Sequence, residues 1–270
     1  MIANYHKIQA NDTMIPTWKR VLDIALILLL LPLILVVGGG VALIIRLVSR
    51  GPVFFRQERV GHLGKSFMIL KFRTMRVGAD TSRHQGHVIS LLSSDTPMMK
   101  LDARGDSRII PFGTWIRAAG LDELPQLINV LRGEMSLVGP RPCLPFESAQ
   151  YQAWQKERFN TLPGLTGLWQ VSGKNNTTFQ EMVQLDIEYS RTKTLALDLE
   201  IIVRTIPALI VQVLEMRRFR KQVSIPISRH VASTTQQVPV NCRSYGQQTT
   251  YSGRNLKPVI RNVRAGFRQN

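Results

Sequence analysis

The stretch that decides the architecture is VLDIALILLLLPLILVVGGGVALII at residues 21–45, which is apolar throughout except for Asp23. It exceeds the roughly 20 residues that one membrane-spanning helix needs. A cleaved signal peptide is not expected, because polar residues precede the stretch, and Arg46 and Ser49 follow it where a small-residue cleavage site would stand. Pro32 near the middle and three glycines at 38–40 predict a break in this membrane helix.

Basic residues flank the apolar stretch on both sides. Lys19 and Arg20 precede it, with Lys7 further upstream, and four arginines follow it: Arg46, Arg50, Arg56 and Arg59. Basic flanks favour the cytoplasmic side of a membrane. A re-entrant hairpin hinged at Pro32 keeps both flanks on that side, each arm reaching roughly 18 Å at 1.5 Å per residue. These residues leave one alternative open, a membrane-spanning helix kinked at Pro32. In that case the soluble regions would be too long for the preference of basic flanks for the cytoplasmic side to apply.

The rest of the chain predicts an α+β fold that is predominantly helical. Apolar runs at 53–55 and 67–72 surround the turn sequence GHLG at 61–64 and predict a small β-hairpin. Helices are predicted within 112–132, 146–159, 178–189 and 197–213. The first of them is expected to bury one stripe: Leu121, Leu124, Leu127, Ile128 and Leu131. Residues 77–107 are polar without a sustained period and predict a long loop, whose His84 and His87 lack further metal ligands nearby.

The last predicted helix has a broad apolar face and ends in a basic cluster. These features are typical of an amphipathic helix at a membrane interface, and Pro207 is expected to kink it. Beyond it, few large apolar residues occur among many polar and basic ones, which predicts a disordered cationic tail over 223–270. Of the net charge of +17, the residues after Ile210 carry +10, since eleven cations and one acid lie there. The remaining +7 suits a phosphate-bearing partner, whether lipid, nucleotide or nucleic acid.

Two cysteines and one acidic pair limit the chemistry further. Cys143 and Cys242 have no second Cys or His at ligand spacing, so neither a disulfide framework nor a zinc site is predicted. Asp122 and Glu123 open the helix of the Leu121 stripe, with Pro125 in its first turn. As an isolated pair they can be an ordinary helix cap with a first-turn acid. They can also face a phosphate site in which Mg²⁺ offsets the repulsion between anions.

Three cations stand in settings that suit phosphate binding. Arg141 lies between two prolines in GPRP at 139–142, which presets a guanidinium fork. Lys71 and Arg73 alternate with apolar residues at the end of a predicted strand and share one face. A plain turn for Arg141 and solvated strand cations for Lys71 and Arg73 are the structural alternatives.

Taken together, the motifs resemble one family over residues 18–210. The ordered blocks are KRVLD at 19–23, GPVF at 51–54, KFRTM at 71–75, LDELPQL at 121–127, NVLRGEMSLVGPRP at 129–142 and PGLTGLWQV at 163–171, followed by Asp186 and Tyr189. The chain resembles the bacterial sugar transferases, the monotopic polyprenyl-phosphate phosphoglycosyl transferases. It departs from their pattern at Gly120, where Ser is usual, at Leu162, where a basic residue is usual, and before Pro32, where Ser is common.

The resemblance implies an enzyme that moves a sugar-1-phosphate from a UDP-sugar to undecaprenyl or another polyprenyl phosphate and releases UMP. It implies Asp122 as the nucleophile of an aspartyl-phosphosugar intermediate, Glu123 as its acidic partner, and Mg²⁺, or Mn²⁺ in its place, at the pair. Side chains expected at the substrate phosphates are Arg141, Lys71, Arg73, Lys174 and Asp186. Pro32 is the expected hinge of a re-entrant helix flanked by Lys19, Arg20 and Asp23. The enzyme class is phosphotransferase for substituted phosphate groups, at the initiating step of exopolysaccharide or another surface glycan.

We therefore expect four segments on the bacterial inner membrane. They are a polar N-terminal segment (1–17), the re-entrant helix (18–50), a catalytic domain with interfacial helices on the cytoplasmic face (51–222) and the basic tail (223–270). Anionic lipids are expected partners, a homo-oligomer and other polysaccharide-synthesis enzymes are compatible partners, and nucleic acid is not expected. A tethered binder of acidic ligands and a single-span scaffold subunit are the rival functions. The sequence leaves galactose, glucose and N-acetylated sugars open.

Overall fold

A computed structural model describes residues 14–79, 86, 88–91, 97, 106–173 and 177–223, with the backbone alone described at 215 and 217–223. Lys174, His84, His87, the first 13 residues and the tail after residue 223 lie outside the described residues. The loop predicted over 77–107 is wrong in part. Residue 86 and residues 88–91 are helical, and two apolar side chains there, Val88 and Leu91, are buried.

The apolar stretch forms one helix, α1 (Thr17–Val48), of 32 residues. Among the described residues it is the one helix long and apolar enough to cross a membrane. Helical geometry continues through Pro32 and through the glycines at 38–40. The predicted break is therefore not an interruption of the helix, since proline removes a single N–H donor and the turns on either side of it remain hydrogen-bonded.

One face of α1 is buried along both halves of the helix. The buried residues of α1 lie within an arc of about 80° around the helix axis at 3.6 residues per turn. They are Lys19, Asp23, Ile27, Val41 and Ile45. Ile27 packs in a cluster with Ile69, Leu127, Val130 and Met135. Val41 and Ile45 pack in a second cluster with Phe72, Ile110 and Ile116. Both halves of α1 thus contact the domain that follows, while most leucines between them are exposed.

The predicted β-hairpin is confirmed. Strands β1 (Phe54–Val60) and β2 (Ser66–Phe72) pair in antiparallel register, with Phe54 opposite Phe72 and Val60 opposite Ser66. A short 3₁₀ turn, His62–Gly64, connects them. The rings of Phe54 and Phe72 stack at a centroid distance of 5.6 Å. Aromatic pairs across strands stabilise such a hairpin.

The predicted helix within 112–132 is divided into three pieces. These are α2 (Gly113–Ala118), a 3₁₀ turn (Leu121–Glu123) and α3 (Gln126–Leu131). Ile128 and Leu131, expected in a buried stripe, are exposed, and Val130 is completely buried instead. The stripe assumed one uninterrupted helical period, but the 3₁₀ turn and Pro125 shift the phase of α3.

A parallel strand pair that no sequence pattern indicated lies beside the GPRP segment. Strand β3 (Ser136–Val138) pairs with β4 (Gly164–Thr166). Gly139 N–H donates to the carbonyl of Thr166 at 2.9 Å, and Gly164 N–H donates to that of Pro140 at 2.8 Å. The two backbones approach so closely that a Cβ on Gly139 would lie 2.2 Å from the carbonyl oxygen of Leu162.

Replacing Gly139 by alanine should therefore destabilise the protein by about 3 kcal/mol, the upper range for overpacking. The clash is with backbone, which cannot rotate away as a side chain can. Gly39→Ala is the matched control, because nothing lies within 4 Å of a Cβ built there. Thermal unfolding in lipid nanodiscs measures both, and equal midpoints for the two variants would contradict the expectation.

The remaining elements complete the domain. The predicted helix over 146–159 is divided into α4 (Pro145–Ala149) and a 3₁₀ segment (Trp154–Asn160), followed after β4 by α5 (Leu168–Val171). Helix α6 (Phe179–Thr192) begins at a capping box in which Thr178 and Glu181 bond each other's backbone N–H. A core cluster of Tyr151, Phe159, Trp169, Phe179, Met182 and Val183 joins these elements.

The last helix, α7 (Leu195–Val223), is continuous through Pro207 and has two different faces. Asp198 and Ile201 are buried on one face. The other face exposes a stripe of large apolar side chains at intervals of three and four residues, namely Leu195, Leu199, Val203, Ile206, Ile210 and Leu214. This stripe has the spacing of the apolar face of an amphipathic helix, with that face turned away from the protein core.

Candidate active site

The acidic pair lies in the 3₁₀ turn between α2 and α3. Asp122 and Glu123 are half-buried, and the N–H of Glu123 donates to the carbonyl of Gly120 at 3.1 Å. Gly120 precedes the turn with a φ of 69°, in the left-handed region that favours glycine. The departure from the usual serine at position 120 therefore fits the local backbone. Asp122 does not cap a helix, because the residues before both helical segments make no side-chain cap.

Lys71, predicted near the substrate phosphates, lies beside this pair. Its ammonium contacts Glu123 Oε1 at 3.0 Å. Burial raises the pKa of Asp122 above its ordinary value, and neighbouring Glu123 acts in the same direction, whereas Lys71 and Arg117 lower it. Two anions and two cations thus meet at one turn, so that the charge of the carboxylates is offset while they stay within reach of solution.

Arg117 is a functional candidate that the sequence interpretation missed. It lies in α2, five residues before Asp122, and its guanidinium contacts the hydroxyl of Thr74 at 3.4 Å. Its electrostatic effect on Asp122 places it among the charges of the site. In the sequence, Arg117 is a single cation shortly before the acidic pair. It was missed because one continuous helix was predicted over this region.

Arg141 is held by a carboxylate in this structure. Its guanidinium makes a fork with Glu147, at 2.9 Å to Oε2 and 3.3 Å to Oε1, and its side chain is 26% exposed. Burial disfavours the charged form, but Glu147 outweighs it and raises the pKa of Arg141 above its usual value. Arg141 also lines a narrow cleft with Gly61, Pro140 and Pro163. The guanidinium fork that the sequence assigned to a phosphate thus bonds Glu147 in this structure, which fixes the orientation of the Arg141 side chain.

Asp186 is buried close to the backbone of Arg141 and is not in contact with solution. It pairs with Arg158, which is completely buried and also donates to the Tyr151 hydroxyl at 2.6 Å and to the Arg141 carbonyl at 2.8 Å. Burial raises the pKa of Asp186 to about 6, although Arg158 opposes that change. With 1% of Asp186 exposed, its carboxylate reaches the site through Arg158 and the backbone of Arg141. The sequence interpretation missed Arg158, since nothing in its neighbourhood marks it.

Arg73 has a position that its predicted role does not explain. Its guanidinium donates to carbonyl oxygens of Pro52 (2.6 Å), Arg50 (3.0 Å) and Ser49 (3.0 Å), and to the Ser49 hydroxyl (3.1 Å). These groups follow the end of α1. All three guanidinium nitrogens therefore donate to the segment that follows α1, so that Arg73 anchors this segment, while its contact with a substrate phosphate stays a prediction.

The predicted flanking residues of the membrane helix also bind the domain. Lys19 is completely buried, and its ammonium donates to Asp198 Oδ2 (2.6 Å), the Tyr189 hydroxyl (2.7 Å) and the Val138 carbonyl (2.7 Å). Lys19 thus joins α1, α6, α7 and β3. A cation predicted to flank the membrane helix is therefore part of the protein interior.

Arg20, the residue after Lys19, and Asp23, one helical turn after Lys19, make similar contacts. Arg20 donates to the carbonyls of Val130 at 2.8 Å and Leu131 at 3.3 Å, which end α3. Asp23 Oδ1 accepts from the Ser136 hydroxyl and from the Leu137 N–H, both at 3.0 Å. The first turns of α1 are thereby tied to the segment between the acidic pair and GPRP.

The acidic pair has the donor set that Mg²⁺ takes. Magnesium is usually held by one or two carboxylates, with water and substrate phosphates completing six oxygens. Asp122 and Glu123 supply two adjacent carboxylates, and the side chain of Glu123 is 34% exposed. Over the described ranges, no group of three or more His, Cys, Asp or Glu side chains is arranged to hold a metal. The pair therefore fits a magnesium ion that keeps most of its shell for water and substrate.

Comparison with known proteins agrees with these features. A model of the family described as bacterial sugar transferase matches residues 14–212, so the chain belongs to this family. It is a transferase, in agreement with relatives named as undecaprenyl-phosphate sugar phosphotransferases.

Three relatives illustrate the range of matches. The exopolysaccharide production protein ExoY of Sinorhizobium fredii is 36% identical over 70% of this chain and 84% of its own length. A Caulobacter vibrioides protein named UDP-glucose:undecaprenyl-phosphate glucose-1-phosphate transferase is 42% identical over 71% of this chain and 69% of its own. The galactosyl transferase CpsE of Streptococcus agalactiae is 44% identical over 58% of this chain, but the match spans 34% of CpsE.

Proposed function

We propose that this protein transfers a sugar-1-phosphate from a UDP-sugar to undecaprenyl phosphate or a similar polyprenyl phosphate. The observation that carries the proposal is the half-buried Asp122–Glu123 pair, with Lys71 in contact and Arg117 nearby. Names of the relatives, which include a UDP-glucose and a UDP-galactose transferase to lipid carriers, support the donor and acceptor classes. The reaction would begin an exopolysaccharide or another surface glycan.

In the first step, an oxygen of the Asp122 carboxylate attacks the sugar-linked phosphorus of the donor. A new bond forms between Asp122 and that phosphorus, the bridging phosphoanhydride bond breaks, and UMP leaves with the bridging oxygen. Covalent catalysis divides a difficult transfer into two easier ones. Lys71 and Arg117 favour the ionised nucleophile and offset charge on the phosphates, while Arg141, oriented by Glu147, offers phosphate oxygens the N–H groups that do not bond Glu147.

In the second step, an oxygen of the polyprenyl phosphate attacks the same phosphorus and Asp122 leaves as a carboxylate. The product is a polyprenyl-diphosphate sugar. A magnesium ion bound at Asp122 and Glu123 would supply charge neutralisation between anionic reactants. Positioning and electrostatics account for most of the catalysis in phosphoryl transfer, and the buried pair of Arg158 and Asp186 serves this by fixing the backbone of Arg141.

The same proposal places the domain on the cytoplasmic face of the bacterial inner membrane. It is supported by both halves of α1 contacting this domain through one face, because a straight span would carry one half to the opposite side. Helix α1 then enters and leaves the same leaflet, bending about Pro32. The apolar stripe of α7 rests on that leaflet, and anionic lipids attract the basic residues that follow.

Cysteines introduced at Met14 and Arg50, both exposed and at opposite ends of α1, test this arrangement. We expect an impermeant thiol reagent added from the periplasm to label neither, and to label both after the membrane is opened. A Cys242→Ser background removes one of the two natural thiols, and the other, Cys143, is buried. Labelling of one end alone from the periplasm would favour a single span and a scaffold role.

The reaction is tested by incubating the protein in nanodiscs with undecaprenyl phosphate, Mg²⁺ and a panel of UDP-sugars. We expect multiple turnovers of UMP release with one donor, and only when a divalent metal and the lipid are present; without the lipid, release should stop at about one UMP per enzyme. Mn²⁺ in place of Mg²⁺ tests the choice of metal. Folded protein that releases no nucleotide from any donor would overturn the proposal and return attention to the scaffold function.

Lys71→Met should shift the pH dependence of this reaction. The nucleophile must be ionised, and Lys71 lowers the pKa of Asp122, so removing its charge raises that pKa. The acid limb of kcat/KM should therefore move to higher pH in Lys71→Met, with the rate at high pH less affected. Lys65→Met is the matched control, an exposed lysine in the same hairpin. An unmoved acid limb in Lys71→Met would remove Lys71 from this role.

A further inference from the structure

One residue outside the predicted site joins the β-hairpin to the acidic pair. Asn129, in α3, is completely buried. Its side-chain oxygen accepts from the N–H of Leu70 at 3.1 Å, and its amide nitrogen donates to the Met68 carbonyl at 2.8 Å. The amide nitrogen also donates to Glu134 Oε2 at 2.6 Å. The amide thus uses both its acceptor and its donors in an apolar interior.

The side chain of Asn129 makes two hydrogen bonds to the backbone of β2 that the peptide group of a neighbouring strand would otherwise make. In the two-stranded sheet, β1 occupies one edge of β2. N–H and C=O groups of alternate residues point to the other edge, and Met68 and Leu70 are such residues. The primary amide of Asn129 bonds both of them, as a peptide group of a third strand would. It therefore specifies which residues of β2 lie opposite α3.

These contacts lie next to the reactive groups on both sides. Leu70 directly precedes Lys71, whose ammonium is 3.0 Å from Glu123. Asn129 belongs to α3 (Gln126–Leu131), which begins three residues after Glu123. The backbone carbonyl of Asn129 accepts from Glu134 and Met135, which fixes the other end of α3. A shift between α3 and β2 would therefore separate Lys71 from the acidic turn.

Apolar packing between these elements does not by itself define that register. Ile69 packs with Leu127, Val130 and Met135 in the same interface. Burial of apolar surface is not directional, whereas hydrogen bonds require particular partners and angles. A slip of one residue along β2 would place a different side chain beside Glu123, and the hydrogen bonds of Asn129 would be lost.

We propose that Asn129 is a positioning residue that holds Lys71 against the Asp122–Glu123 turn. The catalytic meaning of this contact rests on the proposed function, but the contact itself does not. Asn129 acts through Lys71 and does not touch the substrate. Glu134 orients the amide by accepting from its nitrogen, so that the oxygen faces Leu70 and the nitrogen faces Met68.

The first test needs no turnover. Reductive methylation followed by mass spectrometry measures how fast Lys71 reacts relative to Lys65, an exposed lysine in the same hairpin. In Asn129→Leu, whose side chain has the same branching but makes no hydrogen bonds, we expect the Lys71 to Lys65 ratio to rise at least about threefold, because Lys71 is freed from its position. Gln152→Leu, an exposed amide changed in the same way, should leave the ratio unchanged. An unchanged ratio in folded Asn129→Leu overturns the proposal.

A second pair of variants covers the case in which Asn129→Leu does not fold. Asn129→Asp places an anion against Glu134 and the Met68 carbonyl and should raise the labelling ratio. Adding Glu134→Gln reverses donor and acceptor, so that the new amide donates to the new carboxylate, which still accepts from Leu70. The double variant should return the ratio toward that of the wild type. Failure of Glu134→Gln to lower the ratio of Asn129→Asp overturns the proposal.

The second test is a double-mutant cycle on kcat/KM for UMP release. Asn129→Leu and Lys71→Met should each lower kcat/KM, and the double variant should lose no more than Lys71→Met alone, because one residue acts through the other. Losses that multiply would mark Asn129 as merely structural and overturn the proposal. Absence of UMP release by the wild type would instead count against the proposed function, while the labelling ratio still decides the role of Asn129.

Discussion

Asp122→Asn is expected to lower UMP release by at least about a thousandfold, as for removal of other catalytic nucleophiles. Asparagine has nearly the same size and shape but cannot attack phosphorus, and it carries no charge for a metal. The variant should still fold and remain in the membrane, because Asp122 is half-buried in a short turn whose backbone it leaves unchanged. The measurement is the rate of UMP release in nanodiscs, with thermal unfolding as the check on folding.

Transfer of ³²P from the donor to the protein tests whether the covalent intermediate forms on Asp122. A donor carrying ³²P in its sugar-linked phosphate should label wild-type protein when lipid acceptor is withheld, and chase with polyprenyl phosphate should remove the label. Asp122→Asn should take up none. Glu123→Gln is the control, since it keeps the nucleophile and should label slowly. Substantial turnover by Asp122→Asn, shown by mass spectrometry to be free of deamidated protein, would contradict the assignment of the nucleophile.

Lys19→Met is expected to cost about 3–5 kcal/mol, the range for breaking a buried ion pair from one side. Methionine fills similar volume, but it leaves Asp198 without its cation in a place where both side chains are completely buried. It also removes donors from the Tyr189 hydroxyl and the Val138 carbonyl. Equilibrium unfolding in detergent, followed by tryptophan fluorescence, gives the free energy.

Two further variants distinguish the loss of this buried ion pair from a general loss of helix stability. Adding Asp198→Leu to Lys19→Met removes the uncompensated anion and should recover part of the loss. Arg204→Met breaks an exposed pair with Glu200 on the same helix and should change stability little. A loss for Lys19→Met no larger than that for Arg204→Met would show that the buried pair contributes nothing beyond a surface contact.

Elements with local signals were predictable from the sequence. The β-hairpin carries its own turn residues, α6 carries the Thr178 capping box, and α1 is marked by its composition. The parallel pair of β3 and β4 was not predicted, because its partners are three-residue strands separated along the chain and its signal is close backbone approach. Division of the 112–132 region was missed because a hydrophobic period does not reveal a 3₁₀ turn inside it.

The candidate site was predictable at the level of residue type but less so at the level of contact. The motifs named Asp122, Glu123 and Lys71 separately, and the structure brings Lys71 into contact with Glu123. Arg73 was expected at a substrate phosphate and Lys19 as a flank of the membrane helix, and the sequence did not indicate that both donate to groups of the protein itself. A sequence shows that a cation is present, whereas its partner depends on which distant groups folding brings near. Asn129 is uncharged, and Arg158 stands in an ordinary charged run at 156–158, so neither residue was marked as part of the site.

The buried contacts of α1 have a consequence for how this protein is made. Lys19 and Asp23 leave the ribosome early, but Ser136, Tyr189 and Asp198 are synthesised much later. Until then, the nascent chain has an apolar helix whose first turns carry charged side chains that lack their partners. These turns should therefore remain hydrated at the bilayer surface. Stable seating of the first helix would then wait for translation of the last one. Ribosome-stalled chains ending before residue 198 should consequently be more easily extracted from membranes than chains that extend beyond it.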